Sequence, residues 1–359
     1  MKTATLREVA EHAGVHTSTA SRALNPETRD GVNAATARRV LASARSLGYQ
    51  PNPIARSLRT NRTYTIGMLI PDLMNPLFPP IVRGAEDVLS EFSYTLLLAN
   101  TDNDPDRERL TFEALRSRQV DGFIIATAWR SHPLTSQAVE QGLSVVLING
   151  LVDGLSVPAV VADYTIGIER AVSHLVELGH RQIAFVSGPV RMSPGITRLT
   201  AFKQTMQSHG LEPLESLITV CDAWSEREGA RALRGFLGGG TDFTAVVASD
   251  DLLALGCYDV VSEQGLTCPG DLSIVGFHDM PFVDKLHPPL TTVRVPHYAM
   301  GAESARMLLE LLGQRPVNVR VASLPIELVL RGSTAPPTLR PGPHGAEHSS
   351  SGGCHRSWR

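Results

Sequence analysis

Residues 5–25 read TLREVAEHAGVHTSTASRALN, and this stretch decides the first part of the fold. Apolar side chains recur with the spacing of one helix face at Leu6, Val9, Ala10 and Ala13. Thr5, with a glutamate three positions later, has the pattern of a helix N-cap. Gly14 ends this helix, and a second helix is expected over residues 16–24. Two short helices joined by a tight glycine-containing turn predict a helix-turn-helix.

The second helix carries the side chains expected to meet a partner. A third helix, over residues 33–47 and closed by Gly48, completes the unit. The exposed positions of the second helix are Thr17, Ser18, Ser21 and Arg22. Short hydroxyl side chains and arginine are the types that hydrogen-bond base edges in the DNA major groove. Serine and threonine on a helix surface are more often simply solvated, so it is their place on the second helix that favours DNA contact.

Charge is unevenly distributed along the chain, which carries a net −3 overall. Residues 1–62 hold ten basic and four acidic side chains, a net +6, which leaves −9 for the remainder. A basic head on an acidic body is the arrangement expected when only the head meets phosphate. The alternative, a merely solvated charged face, stays open on charge alone.

Apolar runs and amphipathic stretches alternate through the rest of the chain. Strands are expected at residues 64–71, 94–99, 122–126, 144–148, 183–187, 220, 245–248 and 273–277. Helices are expected at residues 81–92, 106–118, 134–141, 166–178, 197–209, 227–236 and 252–264. This alternation predicts parallel sheets covered by helices, in two successive Rossmann-like halves. No GxGxxG or P-loop follows the first strand, so no nucleotide cofactor is expected.

We therefore expect a small all-α helix-turn-helix head and an α/β body of two lobes, like a periplasmic binding protein. The head is assigned to residues 1–50, a hinge segment to 51–62 and the body to 63–334. The first lobe comprises about 63–162 and 293–321, and the second about 163–292 and 322–334. The Pro-, Gly-, Ser- and His-rich tail, 335–359, is expected to be disordered.

The composition also narrows the setting of the protein. The four cysteines form no CxxC pair, so neither a disulfide framework nor a metal site is expected. No apolar run of membrane-spanning length occurs, and the N-terminus shows no secretory signal. A cytoplasmic protein is the expectation.

Candidate ligand-binding residues follow the predicted strands, because ligands of open α/β sheets bind beyond the carboxyl ends of strands. These residues are Asp72, Leu77, Phe78, Asn149, Met192, Arg198, Trp224, Asp250 and His278. Aromatic faces together with hydrogen-bonding groups suit a carbohydrate, and a purine or nucleoside is the alternative. Phe78 and Trp224 also fit ordinary core positions, and Asp250 also fits the N-cap of the helix at 252.

Several motifs together resemble the lactose-repressor (LacI/GalR) family of bacterial transcriptional regulators. In the head they are Glu8-Val9-Ala10, Ala13-Gly14-Val15, Thr19-Ala20-Ser21-Arg22-Ala23-Leu24-Asn25 and Tyr49-Gln50-Pro51-Asn52-Pro53. In the body they are Gly179-His180-Arg181, Gly188-Pro189, Ser249-Asp250-Asp251, Gly276-Phe277-His278-Asp279 and Pro289-Leu290-Thr291-Thr292-Val293. The resemblance covers residue 5 to about residue 334.

The resemblance implies particular DNA contacts. They come from Thr5, Leu6, His16, Thr17, Ser18, Thr19, Ser21, Arg22, Asn25, Tyr49, Asn52, Ala55, Arg56 and Leu58. Residues 51–59 match the family's hinge, a short helix that folds only on DNA and inserts a leucine into the minor groove, here Leu58. A linker leucine packed on the body is the alternative. His16 and Ala20 depart from the family, which usually has serine and valine there.

The resemblance also implies a mechanism. Family effector contacts correspond to Phe78, Arg198, Trp224 and Asp250. Met192 stands where some relatives have an arginine, for which Arg191 next to it could compensate, and His278 stands where many have an aspartate. A homodimer would bind a palindromic operator, and a small effector would shift DNA affinity by changing the angle between lobes.

Three other classes of protein fit the sequence less well. An enzyme is disfavoured because no nucleophile or metalloprotease motif occurs. A sugar-binding transport protein would lack the helix-turn-helix. A ligand-insensitive architectural DNA binder would not need a two-lobed body with polar and aromatic strand ends.

Overall fold

A computed structural model describes residues 4–25, 28–49, 62–127, 129–313 and 321–338. Within these ranges the chain forms two compact units. One runs to residue 65 and includes residues 119–121, and the other comprises the remaining residues. No helix in these ranges combines the length and the apolar character needed to cross a membrane.

The head contains three helices: α1 (Leu6–Ala13), α2 (Thr17–Leu24) and α3 (Ala34–Ser46). The predicted capping box is confirmed, because the Thr5 hydroxyl accepts from the Glu8 amide and the Glu8 carboxylate accepts from the Thr5 amide. Gly14 takes a left-handed conformation, φ 63°, and ends α1. The helix-turn-helix prediction is confirmed.

The core of the head is built mostly from alanine. The buried residues are Val9, Ala10, Ala13, Ala20, Ala23, Ala37, Val40 and Ala44. Small side chains let three short helices pack closely, and larger residues such as Leu6, Leu24 and Tyr49 cover the edges of this core. Ala20 is fully buried, so the alanine at this position packs within the core rather than leaving it open.

The first lobe of the body is a six-stranded sheet in the order β11-β5-β4-β3-β1-β2, and its strands from β11 to β1 pair in parallel. Its strands are β1 (Thr65–Ile70), β2 (Thr95–Asn100), β3 (Gly122–Ile125), β4 (Val145–Ile148), β5 (Ala159–Ala162) and β11 (Val321–Leu324). Its helices are α4 (Phe78–Glu91), α5 (Pro105–Ser117), α6 (Pro133–Glu140) and α11 (His297–Leu312). The strands near the centre, β1, β3 and β4, are almost entirely buried, as parallel strands covered on both faces must be.

The second lobe repeats this layout in the strand order β12-β10-β9-β8-β6-β7. Its strands are β6 (Ile183–Ser187), β7 (Ile218–Val220), β8 (Ala245–Ala248), β9 (Ser273–His278), β10 (Thr291–Arg294) and β12 (Glu327–Val329). Its helices are α7 (Tyr164–Glu177), α8 (Ser193–Ser208), α9 (Glu226–Gly238) and α10 (Asp251–Glu263). Only β12 is antiparallel to its neighbour.

The chain passes between the lobes three times. Strand β10 pairs with β9 as far as Arg294, and β11 pairs with β5 as far as Leu324. The second and third crossings therefore fall after these two residues, later than the predicted boundaries at 292/293 and 321/322. The last pairs of the two strand ladders are Arg294 with His278 and Leu324 with Ala162.

Two helices begin earlier than the sequence pattern predicts. Helix α4 starts at Phe78 rather than residue 81, and α8 starts at Ser193 rather than residue 197. Both carry proline in the first turn, where its missing amide hydrogen is not needed and its fixed φ suits a helix. The predicted start points at these two helices were therefore wrong by about one turn.

The predicted disorder from residue 335 onward is wrong for residues 335–338. The Ala335 amide donates to Ser273 Oγ at 3.1 Å, and the Thr338 hydroxyl donates to the Gly270 carbonyl at 2.7 Å. Backbone and side-chain hydrogen bonds thus hold these residues on the second lobe. Residues 339–359 lie outside the described ranges.

Candidate functional site

Helix α2 presents a polar face and buries an apolar one. Ala20 and Ala23 face the core of the head, which fixes the rotation of the helix about its axis. Ser18 and Arg22, one turn apart, are exposed on the other side, and Thr17, Thr19 and Ser21 are partly exposed beside them. The sequence prediction that these side chains share the solvent-facing side of one helix agrees with this geometry.

His16 is the N-cap of α2, the position at which the family usually has a serine. Its Nδ1 accepts from the Ser18 amide at 3.3 Å and lies 2.8 Å from the Ser18 hydroxyl. An imidazole nitrogen with a free lone pair can satisfy an unpaired amide at a helix start, so α2 keeps its N-cap.

The remaining predicted DNA contacts have mixed surroundings. Thr5 is engaged in its capping box, and Leu6 and Tyr49 pack against the head core while remaining partly exposed. Asn25 closes α2 at its C-terminus. The predicted hinge contacts lie outside the described residues: Asn52, Ala55, Arg56 and Leu58.

Arg198 is the centre of the candidate ligand site in the body. It projects from α8 and is only 1% exposed. Its Nη1 donates to the Ser249 carbonyl at 2.6 Å, and its Nη2 lies 3.1 Å from His278 Nε2. Arginine is always a donor here, so His278 Nε2 must accept.

Three aromatic rings surround the Arg198 guanidinium. Its carbon lies 4.2 Å from the ring centre of Phe277, 4.4 Å from that of Tyr164 and 5.3 Å from that of Trp224. The negative faces of aromatic rings attract a cation, and the attraction grows when water is excluded. Trp224 in turn covers Gly188, where a Cβ would lie 2.0 Å from the indole ring, so only glycine lets the ring lie flat at this point.

Asp250 and His278 lie next to Arg198, at the ends of β8 and β9. Asp250 Oδ1 accepts from the Leu252 amide at 2.8 Å, so its alternative role as an N-cap is real. Its Oδ2 is 3.5 Å from His278 Nε2. Burial raises the pKa of Asp250 to about 7, although Arg198 and the helix amide act in the opposite direction.

His278 connects the two lobes through a second histidine. Its Nδ1 lies 3.0 Å from Nε2 of His297, the first residue of α11 in the first lobe. Because His278 Nε2 accepts from Arg198, Nδ1 carries the proton and donates to His297. Burial, followed by the charge of Arg198, lowers the pKa of His278 well below its usual value and that of His297 to about 4, so both rings are neutral.

Tyr164 provides a second connection between the lobes. Its hydroxyl donates to Asn149 Oδ1 at 2.6 Å, and Asn149 holds a left-handed conformation, φ 66°, directly after β4. The same Tyr164 ring covers Arg198. Asn149, predicted from its place after a strand, thus joins the site through a residue that the sequence prediction did not include.

Four other predicted residues have contacts of their own. Asp72 closes its own turn by accepting from the Met74 amide at 2.8 Å. Leu77 and Phe78 are buried in the first lobe at the start of α4, and Met192 is buried before α8. Over the described ranges, no hydrogen bond or ring contact links these four side chains to Arg198.

Arg191, next to Met192, contacts residues of both lobes. Its guanidinium carbon lies 5.4 Å from the ring centre of Trp129, and its Nη2 donates to the Asp222 carbonyl at 3.1 Å. Its own carbonyl accepts from the Arg130 amide at 2.9 Å. Arg191 therefore joins the two lobes at the edge of the site.

The sequence prediction missed Tyr164 and His297. Both are the first residues of helices that start directly after a crossing between the lobes. A rule that includes the residue after each crossing, as well as the residue after each strand, would have found them. Among the described residues, no group of His, Cys, Asp and Glu is arranged to hold a metal ion.

A helix-turn-helix head and a two-lobed α/β body, with charged and aromatic side chains where the lobes meet, define a DNA-binding regulator with a ligand-sensing domain. Residues 5–52 match the family described as bacterial regulatory proteins, lacI family, and residues 172–334 match a periplasmic binding protein-like domain. The chain is 33% identical over 330 residues to the ribose operon repressor of Halalkalibacterium halodurans, covering 92% of this chain and 97% of that protein. The chain belongs to the lacI family of transcriptional regulators.

Solved structures agree with this assignment. The lac repressor dimer bound to operator and the anti-inducer ONPF is similar with a TM-score of 0.82 and 26% identity, over 93% of this chain and 100% of that one. The complex of the regulator CelR with cellobiose is similar with a TM-score of 0.71 and 30% identity, over 92% and 99%. The family and the fold class predicted from the sequence are confirmed.

The buried carboxyl of Asp250 predicts a pH-dependent stability. Its pKa is about 7 in the folded chain and about 4 in an unfolded one, so the folded state binds more protons between these values. Asp250 therefore destabilises the fold progressively as pH rises from about 4 to about 8, by up to about 4 kcal/mol. Asp250→Asn keeps the cap oxygen and removes the charge. We expect the variant to gain stability over the parent as pH rises.

Urea unfolding at about pH 5 and about pH 8.5 measures this difference. All other titrating groups are shared by the two proteins, so the change in their stability difference reports the Asp250 charge, together with its effect on the pKa of Asp251. An unchanged difference between the two pH values would mean that the carboxyl is not held at a raised pKa.

Proposed function

We propose that this protein is a repressor that binds a palindromic operator as a homodimer and is controlled by a sugar bound between the two lobes of its body. The observation that carries the proposal is that one chain combines a helix-turn-helix with a site around Arg198 where side chains of both lobes converge. As a transcriptional regulator it would act in the cytoplasm, by binding DNA and an effector rather than by catalysis.

The DNA-binding half of the proposal rests on α2. Ser18 and Arg22 are exposed on one face, and the buried Ala20 and Ala23 hold that face outward. In helix-turn-helix proteins the second helix enters the major groove, and a dimer places two such helices on successive turns. The lac repressor dimer, a relative solved on its operator, gives a precedent for this assembly.

The ligand-binding half rests on connections between the lobes. Tyr164 bonds Asn149, His278 bonds His297, and the Leu151 amide donates to Ser193 Oγ at 2.7 Å. A ligand that inserts between these groups changes which of the contacts can form. Because such a ligand has different affinity for two arrangements of the lobes, it shifts the balance between them and with it DNA binding.

Two measurements test the proposal together. First, operator sequences are selected from random duplex DNA, and a palindromic consensus bound far above random DNA is expected. Second, a thermal-shift screen of sugars, sugar acids, sugar phosphates and nucleosides should show a ligand that raises the melting temperature. That ligand must then change operator affinity in a gel-shift titration. Selection without any consensus, or a bound ligand that leaves operator affinity unchanged, would contradict the proposal.

A further inference from the structure

Arg198 is a buried cation whose hydrogen-bond partners are all neutral. Its two Nη atoms meet a backbone carbonyl and a neutral imidazole, at Ser249 and His278. Its Nε has no hydrogen-bond partner. Throughout the described part of the chain, no carboxylate forms an ion pair with Arg198.

The nearby acids are engaged elsewhere. Asp250 caps α10, and the two oxygens of Asp251 accept from the Met280 amide at 2.8 Å and the Thr292 hydroxyl at 2.7 Å. Burial raises the pKa of both carboxyls, that of Asp251 to about 8. Neither forms an ion pair with Arg198, and their more distant charges only oppose the burial that lowers the pKa of its guanidinium.

An unpaired buried charge is unfavourable, because water is removed and no counter-ion replaces it. The rings of Tyr164, Phe277 and Trp224 offset part of this loss but carry no net charge. The histidine pair offsets none of it, since the donation from His278 to His297 keeps both rings neutral. Among the described residues, Arg198 therefore has no counter-ion in direct contact with its guanidinium.

The position of Arg198 makes that charge available to a ligand. Its neighbours Tyr164 and His278 are the residues that bond to the first lobe, through Asn149 and His297. A ligand held between the lobes thus lies directly beside the guanidinium. A carboxylate or phosphate can accept two parallel hydrogen bonds from such a fork, and the pair is strengthened where water is excluded.

We propose that the effector is anionic, a sugar acid or sugar phosphate whose charged group pairs with Arg198. This inference rests on the proposed function and narrows its ligand class. The sugar part lies against Trp224, and the anion completes the charge balance of the buried site. A neutral sugar would leave the Arg198 charge unpaired.

The direct test compares ligands that differ only in charge. Glucuronate, galacturonate and gluconate are titrated beside glucose, galactose and sorbitol, and ribose 5-phosphate and glucose 6-phosphate beside ribose and glucose. Tryptophan fluorescence reports binding, since Trp224 lies 5.3 Å from the Arg198 guanidinium. We expect an acidic member to bind at least about tenfold more tightly than its neutral partner. The carboxylate and phosphate series decide which anion is recognised.

A neutral sugar that binds as tightly as its acidic partner would overturn the anion inference and leave the proposed regulator intact. By contrast, an acidic ligand that binds tightly without changing operator affinity would support the anion inference and contradict the proposed function. The two failures are therefore distinguishable.

A second test needs no ligand. In the ligand-free protein, Arg198→Met removes the uncompensated charge and keeps an apolar side chain of similar length, whereas Arg198→Lys keeps the charge. We expect the methionine variant to melt at least about 3 °C above the parent and the lysine variant not to do so. Circular dichroism verifies that both are folded. A methionine variant that melts below the lysine variant would assign Arg198 a structural role and overturn the inference, including when no panel member binds.

Discussion

Replacing Gly229 by alanine is expected to lower the melting temperature by about 10 °C, whereas the same change at Gly235 on the same helix should raise it slightly. Gly229 and Gly256 lie where α9 and α10 cross. A Cβ at Gly229 would lie 2.0 Å from the Leu253 carbonyl oxygen, and one at Gly256 would lie 1.9 Å from that of Glu226. Each helix therefore uses a glycine to let the backbone of the other approach.

The clash at Gly229 cannot be relieved by a side-chain rotation, because the atom that it meets is backbone. The helices must move apart and lose packing along α9, which we expect to destabilise the second lobe by about 3 kcal/mol. Gly235 is the matched control, since no atom lies within 4 Å of a Cβ there. Alanine at that position gains helix propensity of about 0.5–1 kcal/mol.

Calorimetry of the full chain measures both variants against the parent. Equal melting temperatures for the two variants would mean that the helices are not in backbone contact. The first lobe has an equivalent pair: a Cβ at Gly84 would lie 2.0 Å from the Tyr298 carbonyl oxygen, and one at Gly301 would lie 1.9 Å from that of Ile81. The same experiment can therefore be repeated there with an independent prediction of the same sign.

These glycine pairs show what the sequence could not predict about the fold. The members of each pair are far apart in sequence, and a glycine within a helical pattern by itself indicates only a weaker helix. Buried strands such as β1 and β6 were predictable, because a continuous apolar run needs cover on both faces. Strands β5, β10, β11 and β12 were not predicted. They have three or four residues each, and their stability depends on neighbours already in place.

The ligand site was predictable to the extent that strand ends define it. Arg198, Trp224, Asp250 and His278, four of the nine predicted effector contacts, lie together, and their binding of an effector stays a prediction. The fork of Arg198 with only neutral hydrogen-bond partners was not predictable. One cause is that Asp250 and Asp251 make their hydrogen bonds to groups other than Arg198. The other is the contact between His278 and His297, which exists because the chain returns to the first lobe after β10.

The second large effect concerns DNA recognition. We expect Arg22→Ala to lose about 1–3 kcal/mol of discrimination at one base pair in each half of the operator, roughly a tenfold to hundredfold relaxation. Arg22 is exposed on the same face of α2 as Ser18. The Thr28 hydroxyl donates to the Arg22 backbone carbonyl at 3.1 Å, a contact that an alanine at this position would keep. Because the head core does not include it, its loss should leave the fold of the head unchanged.

Arg7→Ala is the matched control for this prediction. Arg7 carries the same charge in the same head, but it lies on α1 and pairs with Glu11 at 2.9 Å. A lost phosphate contact weakens binding to all sequences alike and reduces the salt dependence, whereas a lost base contact changes the ranking of sequences. Competition against operators with each base pair substituted in turn therefore separates the two effects. If Arg22→Ala keeps the parent's ranking at every position, Arg22 contacts only the phosphate backbone, and base readout by α2 must come from its hydroxyl side chains.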